Sequence, residues 1–171
     1  MRRRAPCPAA QGLALALALA GAPAAAQPVT LDGITFSDEL GGFSISGGSG
    51  HGTLDDPFVV DEEVTGPQAP ILVIEGLSAT FRNRVGTQHL TGLALRKRVT
   101  NRTGFVWESY NLELREVEEA HSPYGDGLSF GQASQVWRPF PSDRFRTARI
   151  TDEPVDTVTF TDGAVMPGQT V

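Results

Sequence analysis

Short alternating runs of apolar and polar residues carry most of the structural signal in this chain. Phe43-Ser44-Ile45-Ser46 alternates strictly, and Phe58-Val59-Val60-Asp61-Glu62-Glu63-Val64 follows the turn-like Leu54-Asp55-Asp56-Pro57. Period-two alternation of this kind places one set of side chains on each face of a strand. In the long run Leu90–Thr100, Leu93, Leu95, Lys97 and Val99 fall on one face. Ile71-Leu72-Val73-Ile74, within Pro70–Leu77, is apolar on both faces and predicts a central strand. Further strands are expected over Val29–Phe36, Thr80–Val85, Phe105–Leu114, Leu128–Phe130, Phe145–Thr151, Val155–Thr161 and Ala164–Val171. No segment sustains an apolar period of 3.6. Arg115–His121 is the one helix-compatible stretch, and it is short and charged enough to be a loop or a single turn.

Turn residues divide these runs. Val99-Thr100-Asn101-Arg102-Thr103-Gly104-Phe105 predicts a short hairpin with a left-handed glycine. A second hairpin is expected to join Val158-Thr159-Phe160 to Val165 through Thr161-Asp162-Gly163. Residues 27–171 contain 34 Val, Ile and Thr, punctuated by 17 Gly and nine Pro. Many short β-branched runs broken in this way predict an all-β fold, an Ig-like antiparallel β-sandwich in one domain spanning 27–171. The six glycines between Gly41 and Gly52 are turn and loop residues. No helix follows them and no Lys-Ser/Thr ends them, so they do not form a phosphate-binding loop.

Composition changes sharply near the start. Residues 1–26 hold three Arg, eleven Ala and the only Cys, with no acid and no aromatic residue. Met1-Arg2-Arg3-Arg4 is a basic n-region. Leu13–Ala20 is an apolar h-region, and Ala22-Pro23-Ala24-Ala25-Ala26 supplies the small residues of a cleavage site before Gln27. The apolar run is too short to span a membrane, which takes about 20 residues. A cleaved signal peptide is therefore expected, with no membrane span after its removal. The remainder keeps 11 of the 14 basic residues and all 20 acidic ones, a formal charge of −9 against −6 for the whole chain. Without cysteine it excludes disulfides, thiol catalysis and Cys-ligated metal. Its acidity argues against a nucleic-acid partner.

The second half carries a resemblance. Val99-Thr100-Asn101-Arg102-Thr103-Gly104, with Trp107, Tyr110 and Leu112-Glu113-Leu114, is similar to a pattern in secreted bacterial proteins of the PEP-CTERM (exosortase-sorted) kind. Gly125-Asp126-Gly127-Leu128-Ser129-Phe130 fits it, as do Gly163-Ala164-Val165 and Pro167-Gly168-Gln169-Thr170-Val171. The resemblance covers Val99–Val171 and implies an exported, surface- or matrix-associated β-domain, with no particular reaction. The Pro-Glu-Pro sorting tail of that group does not occur here. The chain stops where a strand normally begins, so either the final strand is short or the polypeptide is truncated.

Candidate chemistry is sparse. His51, His89 and His121 are far apart, and no His-Glu-x-x-His pattern is present, so a three-histidine zinc site would have to assemble in space. Asp55-Asp56 and Asp61-Glu62-Glu63 offer oxygen ligands of the kind calcium prefers, without the EF-hand spacing. On a strand Asp61 and Glu63 converge and Glu62 does not. Glu116, Glu118 and Glu119 form a solvated charge run. Glycoside hydrolysis needs a specific carboxylate pair, which nothing in the pattern selects. No Gly-x-Ser-x-Gly elbow occurs, and Ser49 beside His51 in a glycine run is not an oriented pair. Trp107 is expected in the core, while Trp137, before Arg138-Pro139-Phe140-Pro141, sits in a loop. Asn101-Arg102-Thr103 matches a glycosylation sequon, which matters only in a eukaryotic secretory pathway, and the leader is of bacterial type.

No catalytic, cofactor-binding or metal-binding residue is therefore assigned. The expectation is a secreted bacterial β-domain, at the cell surface, in the extracellular matrix or in the periplasm. It would act without catalysis on a surface, matrix or carbohydrate ligand. The alternatives are a secreted carbohydrate-active or other hydrolase with an unrecognised carboxylate site, and a calcium-stabilised adhesion module.

Overall fold

The computed structural model describes residues 27–123, 125–131, 140–152 and 155–171. Among them every regular element is a strand: β1 Val29–Leu31, β2 Ile34–Ser37, β3 Phe43–Ser49, β4 Phe58–Val64, β5 Val73–Glu75, β6 Leu95–Asn101, β7 Tyr110–Glu113, β8 Phe145–Thr151 and β9 Thr157–Gly163. They form three small sheets, ordered β1-β2-β5, β3-β4-β6 and β7-β9-β8. The architecture is all-β and compatible with a sandwich. No helix of the described residues is long and apolar enough to cross a membrane.

Local pattern and strand agree best where alternation is strict. Along β4, Phe58, Val60, Glu62 and Val64 are buried while the residues between them are partly exposed. β8 keeps its expected bounds. Val29–Phe36 instead breaks into a hairpin. Asp32 and Gly33 take φ of 49° and 83°, the conformation of a two-residue type I′ turn, so Leu31 pairs with Ile34.

Other expectations fail for reasons of partnership. The apolar run Ile71–Ile74 yields only the three-residue β5, an edge strand bonded to β2. Its two apolar faces are only partly buried. Thr80–Val85 and Leu128–Phe130 form no strand, although Phe81 and Val85 are buried. β9 continues through Thr161-Asp162-Gly163, with Asp162 at a left-handed φ of 59° but Gly163 still paired with Phe145, so the expected hairpin there does not form. Gly104 is not left-handed, and the turn after β6 is held by the Asn101 side chain instead.

Pairing is not antiparallel throughout. β4 and β6 run parallel, in register from Phe58↔Leu95 to Val64↔Asn101. Between them the chain contributes β5 to the first sheet and then returns. A strand regained by such a crossover runs in its original direction.

The interior has two apolar clusters. The larger contains Ile34, Phe36, Phe43, Ile45, Phe58, Val60, Val64, Phe81 and Val99. The smaller contains Phe145, Val158, Phe160 and Val165. Trp107, Tyr110 and Val171 pack against both and join them. The chain end reinforces this junction: the Val99 and Val171 amides each donate to the other's carbonyl, at 2.8 and 3.0 Å. Residues 169–171 thereby lie antiparallel along β6, and Val165 bridges to Trp107.

The β3–β4 turn explains part of the glycine-rich stretch. Gly50 has φ of 92°, and a Cβ there would fall 2.0 Å from the Pro57 carbonyl oxygen. Both the backbone angle and the space demand glycine. Gly50→Ala is expected to destabilise the protein by about 2 kcal/mol, read as a lower urea midpoint at unchanged slope.

Candidate functional site

Three polar constellations stand out from the β framework. The first lies inside it. Glu62 faces inward from β4 and Lys97 faces inward from β6, with Nζ 3.0 Å from Oε1. The Glu62 side chain is fully buried and that of Lys97 is 16% exposed. The ammonium stands close enough to pair the charges, yet neither Glu62 oxygen completes a directed hydrogen bond among the described residues. Burial pushes the Glu62 carboxyl above its usual range, and the Lys97 charge pulls it part of the way back. Tyr110, on β7, is also pushed up, by burial first and by the Glu62 charge second. The inward face containing Lys97 was legible from period two, whereas its buried carboxylate partner was not.

The second constellation covers the outward face of β3, β4 and β6 and the chain end. Ser46, Asp61, Arg98, Thr100 and Thr170 line a shallow cleft of about 240 Å³. Arg98 donates from Nε and Nη2 to the two Asp61 carboxylate oxygens, each at 2.5 Å. This bidentate geometry keeps both groups flat against the sheet. The Thr100 and Thr170 hydroxyls are 2.9 Å apart. Arg102 binds Glu63 at 2.7 Å on the same face. Asp61 and Glu63 thus do share a face, as alternation requires, but each is turned onto its own arginine.

The third is formed by loops. Asn83 folds residues 83–89 around its side chain: Nδ2 donates to the carbonyls of Thr87 and His89, and Oδ1 accepts from the amides of Val85, Gly86 and Thr87. This turn presents His89, whose Nε2 lies 2.7 Å from Ser129 Oγ. Nearby, the buried Ser122 hydroxyl contacts the carboxylates of Asp126 and Asp156. Burial raises the Asp156 carboxyl, opposed by the Ser122 hydrogen bond; the charges of Asp126 and Asp152 raise it further, and His89 lowers it.

The remaining candidates disperse. His51 Nδ1 pairs with Asp56 at 2.5 Å and His121 Nδ1 with Glu113 at 2.6 Å, so the three histidines have three separate partners. Among the described residues no group of three or more His, Cys, Asp and Glu is placed to hold a metal ion. Asp55 is exposed, as are Glu116, Glu118 and Glu119. Trp107 is partly buried against both clusters, while Trp137 lies outside the described residues.

Sequence reasoning missed the role of Asn101. It is completely buried, and Nδ2 donates to Phe105 O at 2.8 Å and Val165 O at 2.9 Å. Oδ1 accepts from the Thr103 amide at 2.9 Å and the Thr103 hydroxyl at 2.6 Å. The Asn-x-Thr sequence here is a turn lock with both amide hydrogens engaged, which leaves no accessible acceptor for a glycan in the folded protein. Compared with known proteins, the chain matches no family model, no curated protein and no solved structure.

Proposed function

We propose that this chain is an exported β-domain of the bacterial cell envelope or extracellular matrix that acts through its surface and not by turnover. The observation that carries this reading is the outward face of β3, β4 and β6. There an ion pair and a set of hydroxyls are held at strand spacing on paired backbone. Regularly spaced donors and acceptors on a rigid ladder suit a repeating, polyhydroxylated partner such as an envelope polysaccharide. The basic leader with its small-residue cleavage site supports export. The motifs from Val99 to Val171 support an Ig-like domain of the PEP-CTERM kind.

The test is co-sedimentation of the exported product with purified envelope polysaccharide. Replacing Asp61 and Arg98 together by alanine is expected to weaken retention at least about tenfold, the scale of one or two lost charge-assisted hydrogen bonds. Thr147→Ala, on β8 of another sheet, should leave it unchanged. Equal retention of all three proteins, or none by the wild type, overturns the reading.

A hydrolase is the second reading, favoured by the His89–Ser129 contact beside the Asp126 and Asp156 carboxylates. A serine is activated when a histidine takes its proton. Covalent labelling of Ser129 by a fluorophosphonate, lost in His89→Ala, would establish it. An unlabelled Ser129 would end it.

A further inference from the structure

We propose that Lys97 and Glu62 are the reacting pair of an intramolecular amide bond, joining Lys97 Nζ to the Glu62 side-chain carbonyl carbon and cross-linking the parallel strands β4 and β6. The two groups already touch, with Nζ 3.0 Å from Oε1. Glu62 shares the inward face of β4 with Val60 and Val64, and Lys97 shares that of β6 with Leu95 and Val99; Tyr110 stands near enough to feel the Glu62 charge. Among the described residues, neither carboxylate oxygen completes a directed hydrogen bond, so the Lys97 ammonium is the group that offsets the charge.

That environment favours the reaction. A buried ion pair without supporting hydrogen bonds is poorly compensated for its lost hydration. Passing a proton from the ammonium to the carboxylate removes both charges and leaves a neutral amine beside a neutral carboxylic acid. These are the nucleophile and the electrophile that amide formation requires. Holding them at contact distance on two hydrogen-bonded strands replaces a bimolecular encounter with a unimolecular step. The Nζ lone pair attacks the carboxyl carbon, the Nζ–Cδ bond forms and the C–OH bond breaks. The hydroxyl leaves with a proton from nitrogen as one water. No oxidant, metal or cofactor enters the balance. The product replaces two buried ions with one neutral amide.

The experiment is mass spectrometry of the exported product of the full chain, intact and after trypsin. The protein is expected to be lighter than its sequence by one water. Trypsin should release Lys97-Arg98 attached to the peptide 27–82, because the first basic residue after Gln27 is Arg82 and acylated Lys97 is not cleaved. The branched peptide is decisive. A succinimide at Asp32-Gly33, Asp126-Gly127 or Asp162-Gly163 would also lose one water, and cyclised Gln27 would lose ammonia, but neither makes a branch. Lys97→Arg, which keeps the cation, should yield the unbranched peptide. Wild-type protein that is folded by circular dichroism and still yields only unbranched 27–82 overturns the proposal, whatever the variant does.

Discussion

Asn101→Ala is expected to destabilise the protein by roughly 4 kcal/mol, because it strands several buried polar groups at once. The Asn101 side chain fills hydrogen bonds of the Phe105 and Val165 carbonyls and of the Thr103 amide and hydroxyl. The Val165 contact spans 64 positions in sequence and ties the end of β6 to the segment following β9. Alanine can neither donate nor accept there, and the site is closed to water. Since a domain of this size has a total stability of about 5–15 kcal/mol, the loss is a large share. Asn101→Asp is the sharper comparison: it keeps the acceptor and removes the donors to Phe105 and Val165. It should be destabilised nearly as much. Thr103→Val removes the hydroxyl alone and is expected to cost about 1–2 kcal/mol. Urea unfolding of the three variants checks the order. Wild-type midpoints in Asn101→Ala would mean that the buried amide network contributes little.

Relative to the protein with Lys97 and Glu62 ion-paired and not yet joined, Lys97→Met is expected to cost about 3–5 kcal/mol at neutral pH, since removing one partner of a buried pair leaves the other charge uncompensated. Its pH dependence identifies the cause. Burial raises the folded Glu62 carboxyl above the ordinary 4.5, and the Lys97 charge is the main influence holding it down. Without Lys97 the folded value rises further. A carboxyl whose folded value exceeds its unfolded one binds more protons when folded, so stability falls as pH rises through that window. Lys97→Met should therefore regain stability on acidification from neutrality towards 4.5. The additional substitution Glu62→Gln should flatten this dependence. Thermal melts across that pH range check both statements, and a Lys97→Met melt that is flat with pH would refute the assignment of the buried charge.

Both predictions depend on residues whose strand faces were readable and whose partners were not. Alternation placed Lys97 with Leu95 and Val99, and it separated Glu62 from Asp61 and Glu63. Those assignments hold because side-chain direction along a strand follows from local backbone geometry. The meeting of Glu62 with Lys97 needed the parallel β4–β6 register, which aligns Val60 with Lys97 and Glu62 with Val99. No local pattern encodes that alignment. The candidate surface shows the same division: Asp61 and Glu63 were legible as neighbours on one face, but Arg98 and Arg102 became their partners only through β6. His89 and Ser129 lie 40 positions apart and meet through loops with no periodic signal at all.

Turns were legible only in part. Asp32-Gly33, inside the run Val29–Phe36 expected as one strand, forms a two-residue hairpin turn, whereas Asp162-Gly163, expected to turn, lies inside β9. Residue preference permits a turn at both sites. Asp162 does take a left-handed φ of 59°, but pairing of Gly163 with Phe145 and of Phe160 with Tyr110 and Ala148 keeps the second pair within the strand.

Local pattern alone carries the all-β character and the strict inward and outward alternation of β4. These properties follow from short-range sterics and from the period of the strand. Tertiary structure alone decided that β4 and β6 run parallel, that β5 ends at an edge, that a buried carboxylate faces Lys97, and that Asn101 closes a turn by reaching Val165. Each of these is a choice among distant partners, made by which pairings bury apolar surface and satisfy backbone and side-chain polar groups together.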